Sequence, residues 1–306
     1  MILVTGANGR LGRTLVATLA QQGFPVRAAA RHQIADLPSS VDGVALGALD
    51  GQTDWRQALA GVDTVIHCAS LTWVQASDGK EALRRANVDA VVRMSAMAGD
   101  LGVRRIVYVS SISVNGKHNT SGPFRHDDAP NPESDYSQSK LDAEIALRAS
   151  LVPEVVIVRP PRIIWPDLSG NLAFMGKLIA KGIPLPFGLL DHNRRDNIRA
   201  SNLISALILS ATCPAAAGHT FLVSDQQPLS TRELAIHIGD MQGRKPILLP
   251  VPGFLLRAIV FLLPQSFLGK LDARGILDEL TRDLCIDISH IQQVTGWTPS
   301  NTSQSR

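Results

Sequence analysis

The chain starts with a glycine-spaced turn, Thr5–Gly6–Ala7–Asn8–Gly9–Arg10–Leu11–Gly12. An apolar run, Ile2–Leu3–Val4, leads into it and reads as a buried strand. Out of it comes Arg10–Gln22, where Leu11, Leu15, Val16 and Leu19 recur on one helical face. Each glycine has a steric task in such a unit. Gly6 permits the tight turn, Gly9 lets backbone approach a pyrophosphate, and Gly12 lets helix and strand pack closely. The helix N-terminus adds free N–H groups and a partial positive charge. The spacing is G-x-x-G-x-x-G rather than the commoner G-x-G-x-x-G, and glycines alone can mark a merely structural turn. The strand–turn–helix setting is what points to a dinucleotide. Gly6, Asn8, Gly9, Arg10, Leu11 and Gly12 are the expected cofactor cradle, with Ala69 beyond a later strand as a further contact.

Strands and helices go on alternating through residue 160. Val26–Ala30, Val44–Leu46, Thr64–Cys68, Arg105–Val109 and Val155–Val158 read as strands, and Glu81–Leu101 and Tyr136–Ala149 as helices. This predicts an α/β fold with a doubly wound parallel sheet of Rossmann type over residues 1–160. Prolines then cluster at 160, 161, 166, 184 and 186. Residues 161–299 read as a smaller substrate lobe, with a strand near 219–223 returning to the main sheet and a polar tail at 300–306. One segment, Ile247–Leu268, is strongly apolar, but Pro250, Pro252, Pro264 and Arg257 interrupt it. A helix covering the lobe is expected there rather than a membrane span. A peripheral membrane or partner surface is the alternative.

A net charge of +3 without a Lys/Arg run leaves no nucleic-acid footprint. Cys68, Cys213 and Cys285 are too few and too scattered for a disulfide framework or a zinc site. With a strand beginning at Ile2 and no leader ahead of it, a cytoplasmic protein is expected.

Three further features carry chemistry. Val26–Ala30 ends in Ala28–Ala29–Ala30–Arg31, where a carboxylate would favour NAD by binding ribose hydroxyls. Arg31, helped by Arg10, is expected to pair with a 2′-phosphate, which favours NADP(H) over NAD(H). Two solvated arginines are the alternative. Tyr136 and Lys140 stand at i and i+4, on one helix face, where an ammonium favours the phenolate and makes Tyr136 an acid/base. Ser110–Ser111 follows a strand at the sheet edge where ligands of open α/β folds sit. The histidines have no metal-ligand spacing. His67 and His126 read as a packing residue and a solvated loop residue.

Taken together, Thr5–Gly6-x-x-Gly9-x-x-Gly12, Asn87–Val88, Ser110–Ser111-x-x-Val114-x-Gly116, Tyr136-x-x-x-Lys140 and Arg195–Asp196 resemble the extended short-chain dehydrogenase/reductase family of NAD-dependent epimerase/dehydratase type. Val109–Gly116, Asp127–Asp128-x-Pro130, Arg159–Pro160–Pro161, Pro184–Leu185–Pro186 and Thr220–Asp225 are similar to bacterial O-antigen and lipopolysaccharide nucleotide-sugar 4-epimerases and 4-keto reductases. The resemblance implies Ser111 as catalytic hydroxyl, Tyr136 as acid/base, Lys140 as ribose-binding lysine and Arg195 as phosphate-binding arginine. Asn171 and Trp165 are further candidates for the nucleotide pocket. A homodimer is implied as well. The pattern departs at Asn115, Ile164–Trp165, Asn202 and Gly47–Ala48–Leu49, where other residues are usual.

Reduction of a 4-keto UDP-(N-acetyl)hexose is the first expectation, because Arg31 favours NADPH. A UDP-sugar 4-epimerase with bound NAD uses the same residues and is the alternative. A non-catalytic dinucleotide sensor or structural subunit is the alternative from another class.

Overall fold

A computed structural model describes residues 1–72, 79–168, 170–262 and 273–300. The elements in chain order begin with β1 (Ile2–Thr5), α1 (Arg10–Gln21), β2 (Val26–Ala30), β3 (Asp42–Ala45), α2 (Arg56–Leu59) and β4 (Thr64–His67). After them come α3 (Gly79–Arg84), a π-helical turn (Arg85–Asp89), α4 (Ala90–Asp100), β5 (Arg105–Val109), a 3-10 turn (Ile112–Val114), α5 (Asp135–Arg148) and β6 (Glu154–Arg159). The remainder holds β7 (Arg162–Ile164), α6 (Gly170–Ala180), β8 (Asn197–Arg199), α7 (Ala200–Thr212), a 3-10 turn (Pro214–Ala216), β9 (Thr220–Leu222), α8 (Thr231–Met241), α9 (Gly253–Leu262), α10 (Ala273–Thr281) and α11 (Ser289–Thr295).

Seven strands form one parallel sheet in the order β3-β2-β1-β4-β5-β6-β9. Its central strands are apolar on both faces, as a sheet covered by helices on both sides requires. One face packs on α1 and α7 through Leu15, Leu19, Leu203 and Leu207. The other packs on α4 and α5 through Val91, Met94, Ala143 and Leu147. Strand order reverses between β1 and β4, and the crevice there is where ligands of such sheets bind. The late strand is β9, which pairs with β6 and completes the sheet edge. A second, two-stranded sheet of β7 and β8 leads into an apolar cluster of Leu172, Ile179, Leu185, Leu234 and Ile238.

Two expectations change. The single helix expected over 81–101 is broken by the π-helical turn. That turn carries Asn87 inward, where its Oδ1 accepts from Leu71 N (2.7 Å) and its Nδ2 donates to Leu71 O (2.9 Å) and Ser139 Oγ (3.0 Å). Satisfying a buried amide outweighs regular helix geometry at this point. The second change concerns Ile247–Leu268. α9 buries Leu256 against Leu277 but leaves Phe254, Leu255 and Phe261 exposed, so it covers the lobe with one side only. Residues 263–268 of that segment and 301–306 of the tail lie outside the described residues. No helix among the described residues is long and apolar enough to cross a membrane.

Candidate active site

The glycine turn sits at the point where strand order reverses. Gly6 has φ +68°. A Cβ on it would lie 2.8 Å from Ala69 N, so the β1 turn and the strand end after β4 touch through backbone alone. A Cβ on Gly12 would fall on the Gly6 carbonyl. Gly9 caps α1 without a side-chain hydrogen bond, which leaves the first N–H groups of the helix facing the cleft. Thr5 Oγ1 accepts from Ala69 N (3.2 Å) and lies 3.0 Å from His67 Nδ1. Burial pushes the His67 imidazole down to about 3, so this histidine is neutral and packs against Tyr108. These glycines, together with the uncapped helix start, fit a dinucleotide: the cradle closes only where no side chain stands.

α5 supplies the next groups. Ser134 and Ser137 form a capping box that fixes its first turn, so Tyr136 and Lys140 leave the helix in a set direction. Lys140 Nζ lies 3.5 Å from Ser70 Oγ and 4.4 Å from the Tyr108 ring centroid. The Ser70 hydroxyl also acts on the Tyr136 phenol, pulling it down against its burial. Burial raises the Tyr136 phenol above its ordinary 10. Burial lowers the Lys140 ammonium to about 7, against the opposing pull of Glu144 and Cys68.

Ser111 caps the 3-10 turn after β5. Its Oγ accepts from Ser113 N (3.2 Å) and Ser113 Oγ (2.9 Å). With both lone pairs engaged, its own O–H is left to donate outward. Neighbouring Ser110 turns inward and donates to Glu144 Oε1 at 2.5 Å. Glu144 is held by Arg159 through two hydrogen bonds (2.9 and 2.5 Å), and Arg159 also reaches Asn115 Oδ1 at 2.9 Å. The network joins α5, the end of β5 and the end of β6. Asn115 belongs there because an amide can accept from Arg159 while donating to Arg125 O (3.2 Å).

The C-terminal lobe contributes a cavity of about 360 Å³, lined in part by Asn171, Arg195, Asn197, Phe187, Leu229 and Arg162. Arg195 donates to the carbonyls of Arg282 (3.0 Å) and Lys117 (3.4 Å) and pairs with no carboxylate among the described residues. Burial and the nearby Arg162 lower its guanidinium to about 10. A cation held by carbonyls alone keeps charge to offer an anion. Trp165 does not line this cavity; Arg10 lies over its ring at 4.7 Å. His126 is no free loop residue: it stacks on His290 at 3.6 Å.

The sequence reading missed Ser70, Ser113 and Glu144. Ser70 follows the expected Ala69, and Glu144 sits one helical turn beyond Lys140, so spacing could have drawn attention to both. Ser113 carried no signal.

The sequence pattern of the NAD dependent epimerase/dehydratase family matches residues 2–223. The UDP-glucose 4-epimerase of Vibrio cholerae is 35% identical over 99% of this chain and 92% of its own. Among solved structures, MoeE5 in complex with UDP-glucuronic acid and NAD superposes with a TM-score of 0.77 at 24% identity, covering 98% of this chain and 94% of that one. The UDP-glucuronic acid 4-epimerase of Bacillus cereus in complex with NAD gives 0.74 at 19%, with 98% and 94% covered.

The expected preference for NADP(H) over NAD(H) is overturned, because these structural neighbours hold NAD. The geometry gives the reason. Arg10 pairs with Asp167 and stacks on Trp165, which turns it away from the end of β2. Arg31 stands exposed at the end of β2, and Arg13, which reaches the following loop, is held by Ala35 O and Asp36. By sequence pattern, fold and cofactor cradle, the chain belongs to the NAD dependent epimerase/dehydratase family.

Proposed function

We propose that this protein is a 4-epimerase of a UDP-linked hexose, working with NAD retained through the catalytic cycle. The observation that carries this reading is the end-to-end likeness to the Vibrio cholerae UDP-glucose 4-epimerase, with Ser111, Tyr136 and Lys140 all in place. The 4-keto reductase reading rested on NADPH and lost its support with Arg31.

The cradle from Gly6 to Gly12 would hold the pyrophosphate, Lys140 the nicotinamide ribose hydroxyls, and Arg195 with Asn171 the UDP end of the substrate. The chemistry that the dinucleotide supplies when bound is acceptance of the C4 hydride and its return to the opposite face. Tyr136 takes the C4 hydroxyl proton as that carbon becomes a carbonyl, and gives it back on the return step. Ser111 donates its free O–H to the same oxygen while charge develops on it. Lys140 in its ammonium form lowers the cost of the phenolate. Rotation of the keto sugar between the two hydride steps inverts C4, with no net redox change. The resemblance also supports a cytoplasmic homodimer formed through the long helices, where Val92 of α4 and Ile145 of α5 are exposed.

UDP-glucose and UDP-N-acetylglucosamine, each incubated with purified protein and no added cofactor, test the reading. Formation of the C4 epimer, lowered by about 10² to 10⁴ in Tyr136→Phe, supports it. Absence of an epimer, with stoichiometric oxidation of a reduced nicotinamide by a 4-keto sugar nucleotide, would return the reductase reading.

A further inference from the structure

The α9 helix presents its apolar side to the outside. Phe254, Ala258 and Phe261, at i, i+4 and i+7, share one face, and Arg257 lies beside them. All four are exposed, Phe254 at 71% and Phe261 at 63%, and Leu255 adds a further 45%-exposed apolar side chain. The opposite side holds Leu256, buried against Leu277 of α10. Large aromatics in register on a solvent-facing stripe are a cost to a chain that leaves them in water, so the face calls for an occupant.

Charge says which occupant. From Met241 to Leu271 the sequence has no Asp or Glu, but it has Arg244, Lys245, Arg257 and Lys270. Arg244, Lys245 and Arg257 are exposed and make no ion pair among the described residues. The helix beneath, α10, carries Asp278 and Glu279, and these are spent on Arg282 (2.8 Å) and Arg162. A second copy of the chain fits poorly. α9 carries Arg257 and no acid, so a second α9 packed on it brings another cation and no carboxylate. Phenylalanines flanked by arginine and lysine match an anionic bilayer surface instead: rings enter the headgroup boundary while the long cationic side chains stay at the phosphates.

We propose that the exposed face of α9, formed by Phe254, Leu255, Arg257, Ala258 and Phe261, docks the protein peripherally on an anionic phospholipid surface. The helix has 10 residues, far short of a span, so the contact is interfacial. The proposal is independent of the reaction assigned to the cleft, since none of these side chains lines it.

Co-sedimentation of the full chain with vesicles of equimolar phosphatidylglycerol and phosphatidylcholine tests it, against vesicles of phosphatidylcholine alone. The wild type should pellet with the anionic vesicles only. The double variant Phe254→Ser/Phe261→Ser and, separately, Arg257→Glu should each weaken binding by about tenfold or more. Turnover without vesicles should be unchanged in both. Arg257 is exposed and makes no ion pair among the described residues, so its variant keeps the test valid if the double variant folds poorly. Failure of the wild type to pellet, equal pelleting with neutral vesicles, or unaltered binding by Arg257→Glu would overturn the proposal. So would a lower oligomeric state of the double variant on size exclusion, because a second copy would then be what covers the face.

Discussion

Lys140 concentrates the conflict between stability and function in this cleft. It is 1% exposed, its only polar contact among the described residues reaches Ser70 at 3.5 Å, and the Tyr108 ring offers further compensation. Its ammonium falls to about 7 in the fold from 10.5 in the open chain, so the unfolded state binds more protons between those values. Stability of the ligand-free protein should therefore rise with pH across that window, the buried charge costing most below it. Replacing the lysine with methionine (Lys140→Met) should stabilise the ligand-free protein at pH 6 by roughly 1–4 kcal/mol, flatten this pH dependence and abolish turnover. Denaturant midpoints at pH 6 and pH 9 measure it, and an unchanged slope would contradict the account. Tyr136 and Lys140 were legible as a pair because helical spacing is carried by sequence. The approach of Ser70 to Lys140 was not, since it depends on how the chain after β4 runs past α5. Arg10 misled for a related reason: its sequence neighbours are phosphate-binding glycines, whereas its spatial neighbours are Asp167 and Trp165.

At the scale of elements, the Glu144–Arg159 pair fastens α5 to the strand ends that carry Ser110 and Asn115. Both side chains are almost fully buried, and the carboxylate accepts three hydrogen bonds. Removing one charge strands the other, so Glu144→Gln should cost about 3–5 kcal/mol in chemical denaturation. It also removes the carboxylate that holds the Lys140 ammonium up, so Lys140 should titrate lower and the pH profile of turnover should move with it. A neutral effect on both would show that the pair does not position the helix. Strands were easy to read at this scale, because a run covered on both faces is apolar throughout. The break at Arg85–Asp89 was invisible, because the sequence pattern of a helix does not reveal which side chain, here Asn87, will be drawn inward by a loop 16 residues earlier.

Across the whole molecule, one parallel sheet brings groups from distant parts of the chain to a single crevice. The cradle comes from residues 6–12, Ala69 and Ser70 from the end of β4, Ser111 from the end of β5, and Tyr136 and Lys140 from α5. The order of strands follows from right-handed crossovers and was foreseeable. The C-terminal lobe was less so, because its short elements and prolines carry little periodicity. A ligand that binds only the folded chain should stabilise it: NAD at a hundredfold excess over its Kd should add about 2.7 kcal/mol, and NADP should add less at equal concentration. Thermal unfolding with each dinucleotide checks this, and equal shifts would argue against the cofactor assignment.

The most direct test of the central claim follows the hydrogen at C4. UDP-glucose deuterated at C4, incubated in ordinary water without added cofactor, should give UDP-galactose that keeps the deuterium at C4. Loss of the label to solvent, or accumulation of reduced nicotinamide without an epimer, would contradict the reaction assigned to Ser111, Tyr136 and Lys140.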